Sequence, residues 1–162
     1  MATTGTIIFP VQGVKLPTTK AALIDAGETN WRLLFDDSAT CHAWWHLRMP
    51  HDYNTASKAF IHYSTHTGVS GGLVFGVAVM AQTTGDAVDV NTESYATMNT
   101  GEASAPWTNG QLYSMEIGIT SLDSLAAGDF AKFKLSRDVG AGIDTLTGQA
   151  EVYNFTLEYL TT

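Results

Sequence analysis

The sequence predicts an all-β protein, a single-domain β-sandwich arranged as a jelly roll of about eight strands, with an extended N-terminal arm. Three observations support this prediction: short segments of alternating apolar and polar residues, turn residues between them, and almost no helical periodicity. The length of 162 residues suits one domain, with the arm over residues 1–20 and the sandwich over residues 21–162. One sequence does not reveal strand order, so the jelly roll is favoured by strand count alone.

The arm is apolar but is interrupted by Pro10 and Pro17. Because proline removes a backbone donor from a β-ladder, this segment suits an edge strand or an extended chain. It packs either along its own domain or on a neighbouring subunit. Under the second alternative, we predict an interface through its apolar residues Ile7, Ile8, Phe9, Val11, Val14 and Leu16.

Alternation predicts most of the strands that follow the arm. A helical turn is predicted at residues 121–127, a loop at 101–106, and short strands within the ambiguous stretch 87–110, at 88–90 and 95–98. Residues 73–80 are apolar on both faces, which predicts a central strand whose second face is covered by a loop, the arm or a neighbour. The remaining strands are predicted at residues 31–35, 41–49, 59–67 (followed by Gly68), 112–120, 130–137 and 149–159.

Charge and composition exclude several functions. Sixteen acidic against eight basic residues give a net charge of −8, which argues against a nucleic-acid partner. No apolar run approaches the ~20 residues of a membrane helix, so we expect no membrane partner. The start of the sequence lacks the pattern of a signal peptide, and the single Cys41 permits no internal disulfide. Assembly in the cytoplasm fits these features.

All five histidines lie between His42 and His66, a clustering that raises the possibility of a metal site. On a strand, however, His42 and His46 would lie ~13 Å apart, too far to share one ion. A pair formed by His46 and His62 would require neighbouring strands. No HExxH, GxSxG or phosphate-loop motif is present. We therefore expect no metal, no cofactor and no catalytic residue.

The strand at residues 41–49 offers a better functional candidate. Its odd positions face the core, and its even positions, His42, Trp44, His46 and Arg48, face outward. Three interpretations remain open for this outward set: stacking on a sugar ring, a protein interface, or cover by a loop of the same chain.

Arg137 and Asp144 flank a glycine-rich turn. An ion pair between them would fix the shape of that turn. Alternatively, Asp138 and Asp144 would share a calcium ion with backbone carbonyls, although two acids are a sparse ligand set.

Several landmarks follow one another along the chain. A strand ends at Phe35 and Asp36, the next ends at Pro50–Tyr53, and the apolar strand 73–80 precedes Gly85 and Asp86. The segments 127–138 and 144–150 and the final strand complete the series. In this order they resemble small jelly-roll structural proteins of tailed bacteriophage virions, among them the capsid decoration, or cement, proteins.

The resemblance implies a virion structural protein without catalytic residues, located on the capsid exterior. It would bridge neighbouring subunits of the major capsid protein, often as a homotrimer, and stabilise the shell by binding only its assembled state. The alternative is a glycan- or receptor-binding jelly-roll module of a phage tail or fibre, acting through the Trp44 face. The acidic charge argues against a genome-packing coat protein of another virus.

Overall fold

The computed structural model describes residues 3–25, 30–66 and 70–162, except for the side chain of Ser57. These residues form ten β-strands and one 3-10 turn, Val11–Gly13. None of the described residues belongs to a helix long and apolar enough to cross a membrane. The strands are β1 (Thr4–Pro10), β2 (Leu23–Asp25), β3 (Arg32–Phe35), β4 (Cys41–Arg48), β5 (Tyr53–Thr65), β6 (Gly72–Gln82), β7 (Asn99–Ser104), β8 (Tyr113–Gly118), β9 (Phe130–Arg137) and β10 (Ala150–Thr161).

Two antiparallel sheets enclose one core, which confirms the predicted β-sandwich. The six-stranded sheet has the order β2-β3-β10-β5-β8, and β1 pairs with β10 beyond the end of β3. The four-stranded sheet has the order β4-β9-β6-β7. Side chains that alternate inward from both sheets fill the core, among them Phe35, Ile61, Phe75, Phe133 and Phe155.

The N-terminal segment, predicted as a separate arm, is built into the sandwich. β1 pairs with β10 from Thr4 opposite Leu160 to Pro10 opposite Asn154. Phe9 is 2% exposed, and its ring stacks on Phe155 at a centroid distance of 4.4 Å. Of the two packings left open by the sequence, the structure therefore shows the one along the chain's own domain.

The next part of this segment covers the free edge of β4. Lys15 and Trp44 exchange two backbone hydrogen bonds of 2.7 and 2.8 Å. Further along, the His42 amide donates to the Lys20 carbonyl at 2.7 Å, and the Ala22 amide donates to the His42 carbonyl at 3.0 Å. Because an uncovered edge strand invites pairing with other chains, this cover keeps β4 within its own molecule.

Several local predictions differ from the structure. The stretch 101–106 is not a loop, since β7 includes its first residues, whereas residues 88–90 and 95–98 are not strands. β7 has few β-branched or aromatic residues, so its pairing with β6, rather than local propensity, makes it a strand. Residues 121–127 form a turn without a helix, and β5 begins earlier than predicted, at Tyr53. The predicted turn at Gly68 and the strand end at Thr67 lie outside the described residues.

The segment 83–98 covers the outer face of the central strand β6. Of the three covers that the sequence left open, the structure thus shows a loop of the same chain. A side chain added at Gly76 would collide with the Met98 sulfur, so Met98 lies directly on the backbone of β6. Lys132 Nζ donates to the Val90 carbonyl at 2.9 Å, and Lys134 Nζ lies 4.5 Å from the centre of the Tyr95 ring. The outer face of the four-stranded sheet is thus largely occupied by its own chain.

Candidate functional site

The outward set on β4 alternates as predicted, but its four members have different surroundings. His42 is half-buried, with Nδ1 2.7 Å from Ser136 Oγ. His46 and Arg48 are exposed; the His46 ring lies 5.7 Å from Phe130, and Arg48 Nε donates to the Gly128 carbonyl. These contacts use neighbouring residues of the same sheet and its turns.

The Trp44 side chain is only partly accessible to a ligand. Its side chain is half-buried, and its Nε1 is inaccessible to solvent without a hydrogen-bond partner among the described residues. A sugar-stacking tryptophan needs an open ring face. This partial burial is consistent with cover by the same chain, and the sugar-stacking and protein-interface interpretations of the outward set remain predictions.

The apolar residues predicted as an interface also separate into buried and exposed groups. Phe9 and Val11 are 2% and 1% exposed, so the core leaves them no surface for a partner. Ile7, Val14 and Leu16 are partly buried against that core. Ile8 points away from it and is 64% exposed, because successive side chains of an edge strand face opposite sides.

The structure does not bring the histidines together around an ion. His46 lies on β4 and His62 on β5, and these strands belong to different sheets. No group of three or more His, Cys, Asp or Glu residues suited to a metal occurs in the described part of the chain.

The turn after β9 contains the predicted ion pair between Arg137 and Asp144. Arg137 Nη2 lies 2.8 Å from Asp144 Oδ1, and both side chains are almost fully buried. The other oxygen, Asp144 Oδ2, accepts from Arg137 Nε and from the Val74 amide. The Asp144 carboxylate is thus held by Arg137 and by the backbone of β6.

A cleft of about 380 Å³ lies on the outer face of the six-stranded sheet. This volume falls within the range of about 300–1,000 Å³ that small-molecule sites occupy. Strands β5 and β10 form its floor, and a turn closed by Gly110, with a φ of +72°, forms one side. We call it the β5–β10 cleft; it is lined by Asn30, His62, Gly110, Leu112, Tyr153 and Asn154.

A hydrogen bond joins the two polar side chains on the floor of the β5–β10 cleft. His62 and Asn154 are paired neighbours on β5 and β10, and His62 Nδ1 lies 2.7 Å from Asn154 Oδ1. Because an amide oxygen only accepts, Nδ1 carries the proton and donates it. The geometry fixes both side chains relative to each other across the strands.

Tyr153 is held in the cleft by a polar cluster behind it. Its hydroxyl donates to Glu151 Oε2 at 3.1 Å and lies 3.0 Å from Ser64 Oγ. Glu151 is 3% exposed and also accepts from Ser64 Oγ at 2.8 Å and from His66 Nδ1 at 2.9 Å. These bonds satisfy a buried carboxylate and anchor the tyrosine ring by its hydroxyl.

Arg32 completes this cluster. Its Nη1 lies 3.4 Å from Glu151, and its Nη2 lies 2.7 Å from Asp25. The hydrogen bond to Asp25 is the main reason why the pKa of Arg32 is raised. The guanidinium is therefore engaged with carboxylates of its own chain.

Sequence reasoning missed this cleft, although its residues carried a partial signal. His62 belonged to the histidine cluster, and Asn154 stood on the polar face of the last strand. Only the pairing of β5 with β10, two strands far apart in sequence, brings them together. A register shift between Val152 and Asn154 also interrupts the alternation of β10, so alternation alone does not place Tyr153 beside Asn154 in the cleft.

Comparison with known proteins yields no relative by sequence. No family model matches the chain, and no curated protein matches it. Similarity appears only at the level of structure, to β-sandwich jelly rolls.

Three solved structures illustrate this similarity. CsCBM6-3 from Clostridium stercorarium, in complex with cellobiose, matches with a TM-score of 0.52 at 7% identity, over 96% of this chain and 93% of that chain. The CBM22-2 xylan-binding domain of Paenibacillus barcinonensis Xyn10C gives 0.52 at 12% identity, over 92% of each chain. Isomalto-dextranase of Arthrobacter globiformis T6, complexed with panose, gives 0.53 at 14%, over 94% of this chain and 23% of that enzyme.

At such low identity the similarity shows the fold alone. It confirms the β-sandwich and supports the jelly-roll arrangement predicted from strand count. Only the jelly-roll fold that the resemblance implied is thereby supported, and the virion role remains a prediction.

Proposed function

We propose that this chain is a carbohydrate-binding β-sandwich module and that the β5–β10 cleft is its binding site. The observation that carries the proposal is the composition of the cleft. An anchored aromatic ring, Tyr153, lies beside a fixed pair of polar groups, His62 and Asn154. Sugars present both apolar C–H faces and hydroxyls, and such a site offers a partner for each.

The proposed ligand is an uncharged polysaccharide. Among the residues that the structure describes, those that line the cleft include no lysine, arginine, aspartate or glutamate. The nearby Arg32 is engaged with Asp25 and Glu151, and the chain carries a net charge of −8. An acidic polysaccharide would meet repulsion without a free cation in the cleft to offset it.

Trp31 extends the proposed site. It follows Asn30, which lines the cleft, and it is 48% exposed. Exposed aromatic residues are enriched where proteins bind other molecules. Within this proposal, Trp31 supplies a second ring for an adjoining sugar unit.

A polysaccharide and oligosaccharide array tests this function. The full chain, labelled with a fluorophore, is expected to bind neutral glycans and to leave sulfated and uronic-acid glycans unbound. Binding restricted to acidic glycans, or absence of binding to every glycan on the array, would contradict the proposal. No catalytic step is assigned, and the bound glycan is expected to be recovered intact.

A second candidate function is virion decoration, in which the chain binds the major capsid protein on the outside of a phage head. Exposed apolar side chains near the N-terminus favour it: Ile8 at 64%, Leu23 at 59% and Ile24 at 43%. Leu23 and Ile24 lie on β2, an edge strand, where a partner protein has access to them. In this alternative the chain acts as a homotrimer that bridges shell subunits.

Co-sedimentation with purified phage head shells tests the second candidate. Leu23→Ser is expected to reduce binding to the shells, while Leu112→Ser, at an equally exposed leucine of the β5–β10 cleft, leaves it unchanged. Equal binding by both variants would count against Leu23 and β2 as the surface that contacts the shell.

A further inference from the structure

We infer that the β5–β10 cleft recognises a pair of adjacent free hydroxyls on one sugar ring; this inference rests on the proposed function. It follows from the hydrogen bond between His62 and Asn154, which determines which of their polar atoms remain available. Nδ1 of His62 donates to Oδ1 of Asn154 at 2.7 Å, so these two atoms are already paired with each other.

The remaining atoms have opposite hydrogen-bonding character. With its proton on Nδ1, the neutral imidazole leaves Nε2 as an acceptor. The Asn154 amide nitrogen Nδ2 has two N–H groups to donate. Among the residues that the structure describes, no other side-chain hydrogen bond engages His62 or Asn154. Both residues are half-buried and line the cleft.

This pair matches two neighbouring hydroxyls. One hydroxyl donates to His62 Nε2, and the hydroxyl on the next carbon accepts from Asn154 Nδ2. A sugar ring with only isolated free hydroxyls satisfies one of the two groups and leaves the other unpaired in a partly desolvated cleft. A lost hydrogen bond of this kind costs about 0.5–1.5 kcal/mol, which corresponds to up to about tenfold in Kd.

Linkage isomers of glucan distinguish sugar rings with adjacent free hydroxyls from rings whose free hydroxyls are isolated. Internal units of a β-1,4-linked glucan keep adjacent free hydroxyls at carbons 2 and 3. Internal units of a β-1,3-linked glucan have free hydroxyls at carbons 2, 4 and 6, none of which are adjacent. Both polymers are built from the same sugar, and their internal units differ in this adjacent pair. The non-reducing end units carry adjacent hydroxyls in both series, so the oligosaccharides must be long enough for internal units to predominate.

The experiment measures Kd by titration calorimetry for cello- and laminari-oligosaccharides of matched length, with the full chain and with Asn154→Asp. A carboxylate at position 154 still accepts from His62 Nδ1 but has no N–H to donate. We expect the full chain to prefer the β-1,4-linked ligand by roughly tenfold. We expect Asn154→Asp to lose this preference while melting at a similar temperature.

Thr156→Ala is the control, because Thr156 lies on the same outer face of β10 two residues further along, opposite Phe60. It is expected to bind like the unaltered chain. Equal affinity of the unaltered chain for both oligosaccharides, or an unchanged preference in folded Asn154→Asp, would overturn the inference alone. If the unaltered chain binds no glycan, neither here nor on the array, the proposed function fails and the inference fails with it.

Discussion

His42 illustrates at the scale of one residue how burial on β4 creates a dependence on pH. Its imidazole is half-buried beside Ser136. Burial lowers the pKa of His42, and the positive charges of Lys134 and Lys20 act in the same direction. The fold therefore disfavours the protonated form of this side chain.

A pKa that is lower in the folded chain than in the unfolded chain makes stability fall on acidification. The unfolded chain takes up the proton more readily, so the His42 contribution is complete above about pH 6.5 and declines below it. We expect His42→Asn, which retains a donor for Ser136, to lose less unfolding free energy than the unaltered chain between about pH 7.5 and 5.5. Urea denaturation at both pH values measures this difference.

His46→Asn is the control for this prediction, because His46 is exposed on the same strand. An identical loss of stability in His42→Asn and in the unaltered chain would show that His42 does not contribute.

At the scale of structural elements, the buried pair of Arg137 and Asp144 ties the end of β9 to the turn before β10. The guanidinium also donates to backbone carbonyls of Phe35, Leu146 and Gly148, so one side chain connects three parts of the chain. A buried charge is tolerated when its hydrogen bonds are satisfied in this way.

Asp144→Ala removes one partner of this pair and leaves a buried guanidinium without its counter-charge. Breaking a buried pair from one side typically costs about 3–5 kcal/mol, and we expect a loss of that size in the free energy of unfolding. The Val74 amide also loses its acceptor. Chemical denaturation measures the change, and Asp138→Ala, at the partly exposed start of the same turn, is expected to have a much smaller effect. A loss below ~1 kcal/mol for Asp144→Ala would contradict this account of the turn.

At the scale of the whole molecule, β1 joins the two sheets. Phe9 stacks on Phe155 of the six-stranded sheet and lies 5.0 Å from Phe133 of the four-stranded sheet. Trp45 Nε1 donates to the Pro10 carbonyl at 2.8 Å, a second link between the sheets. A truncation that removes this strand therefore removes part of the core and cannot isolate a binding arm.

Two neighbouring residues of β1 test this role. Phe9→Ala is expected to lower the free energy of unfolding by about 3–5 kcal/mol, as for other buried phenylalanines. Ile8→Ala, at a site that is 64% exposed, is expected to change it by less than about 0.5 kcal/mol. Thermal and urea unfolding of both variants supply the measurement. Similar effects at the two positions would show that β1 lies against the domain without completing its core.

The sequence predicts the sandwich well because alternation reports directly which side of a strand is buried. β4 and β9 illustrate this, since the inward residues Ala43, Trp45 and Phe133 are all buried as expected. β7 could not be predicted, because its strand conformation comes from pairing with β6. The β5–β10 cleft could not be predicted either, because strand neighbours and the register shift in β10 are tertiary features.

Titration of a glycan that binds on the array into three forms of the chain tests the central claim most directly. The forms are the unaltered chain, Tyr153→Ala and Tyr95→Ala, the last removing a tyrosine on the opposite outer face. Loss of an aromatic anchor costs roughly 2 kcal/mol, so we predict an approximately thirtyfold weaker Kd for Tyr153→Ala and an unchanged Kd for Tyr95→Ala. Unchanged affinity in folded Tyr153→Ala would contradict the assignment of the β5–β10 cleft as the binding site.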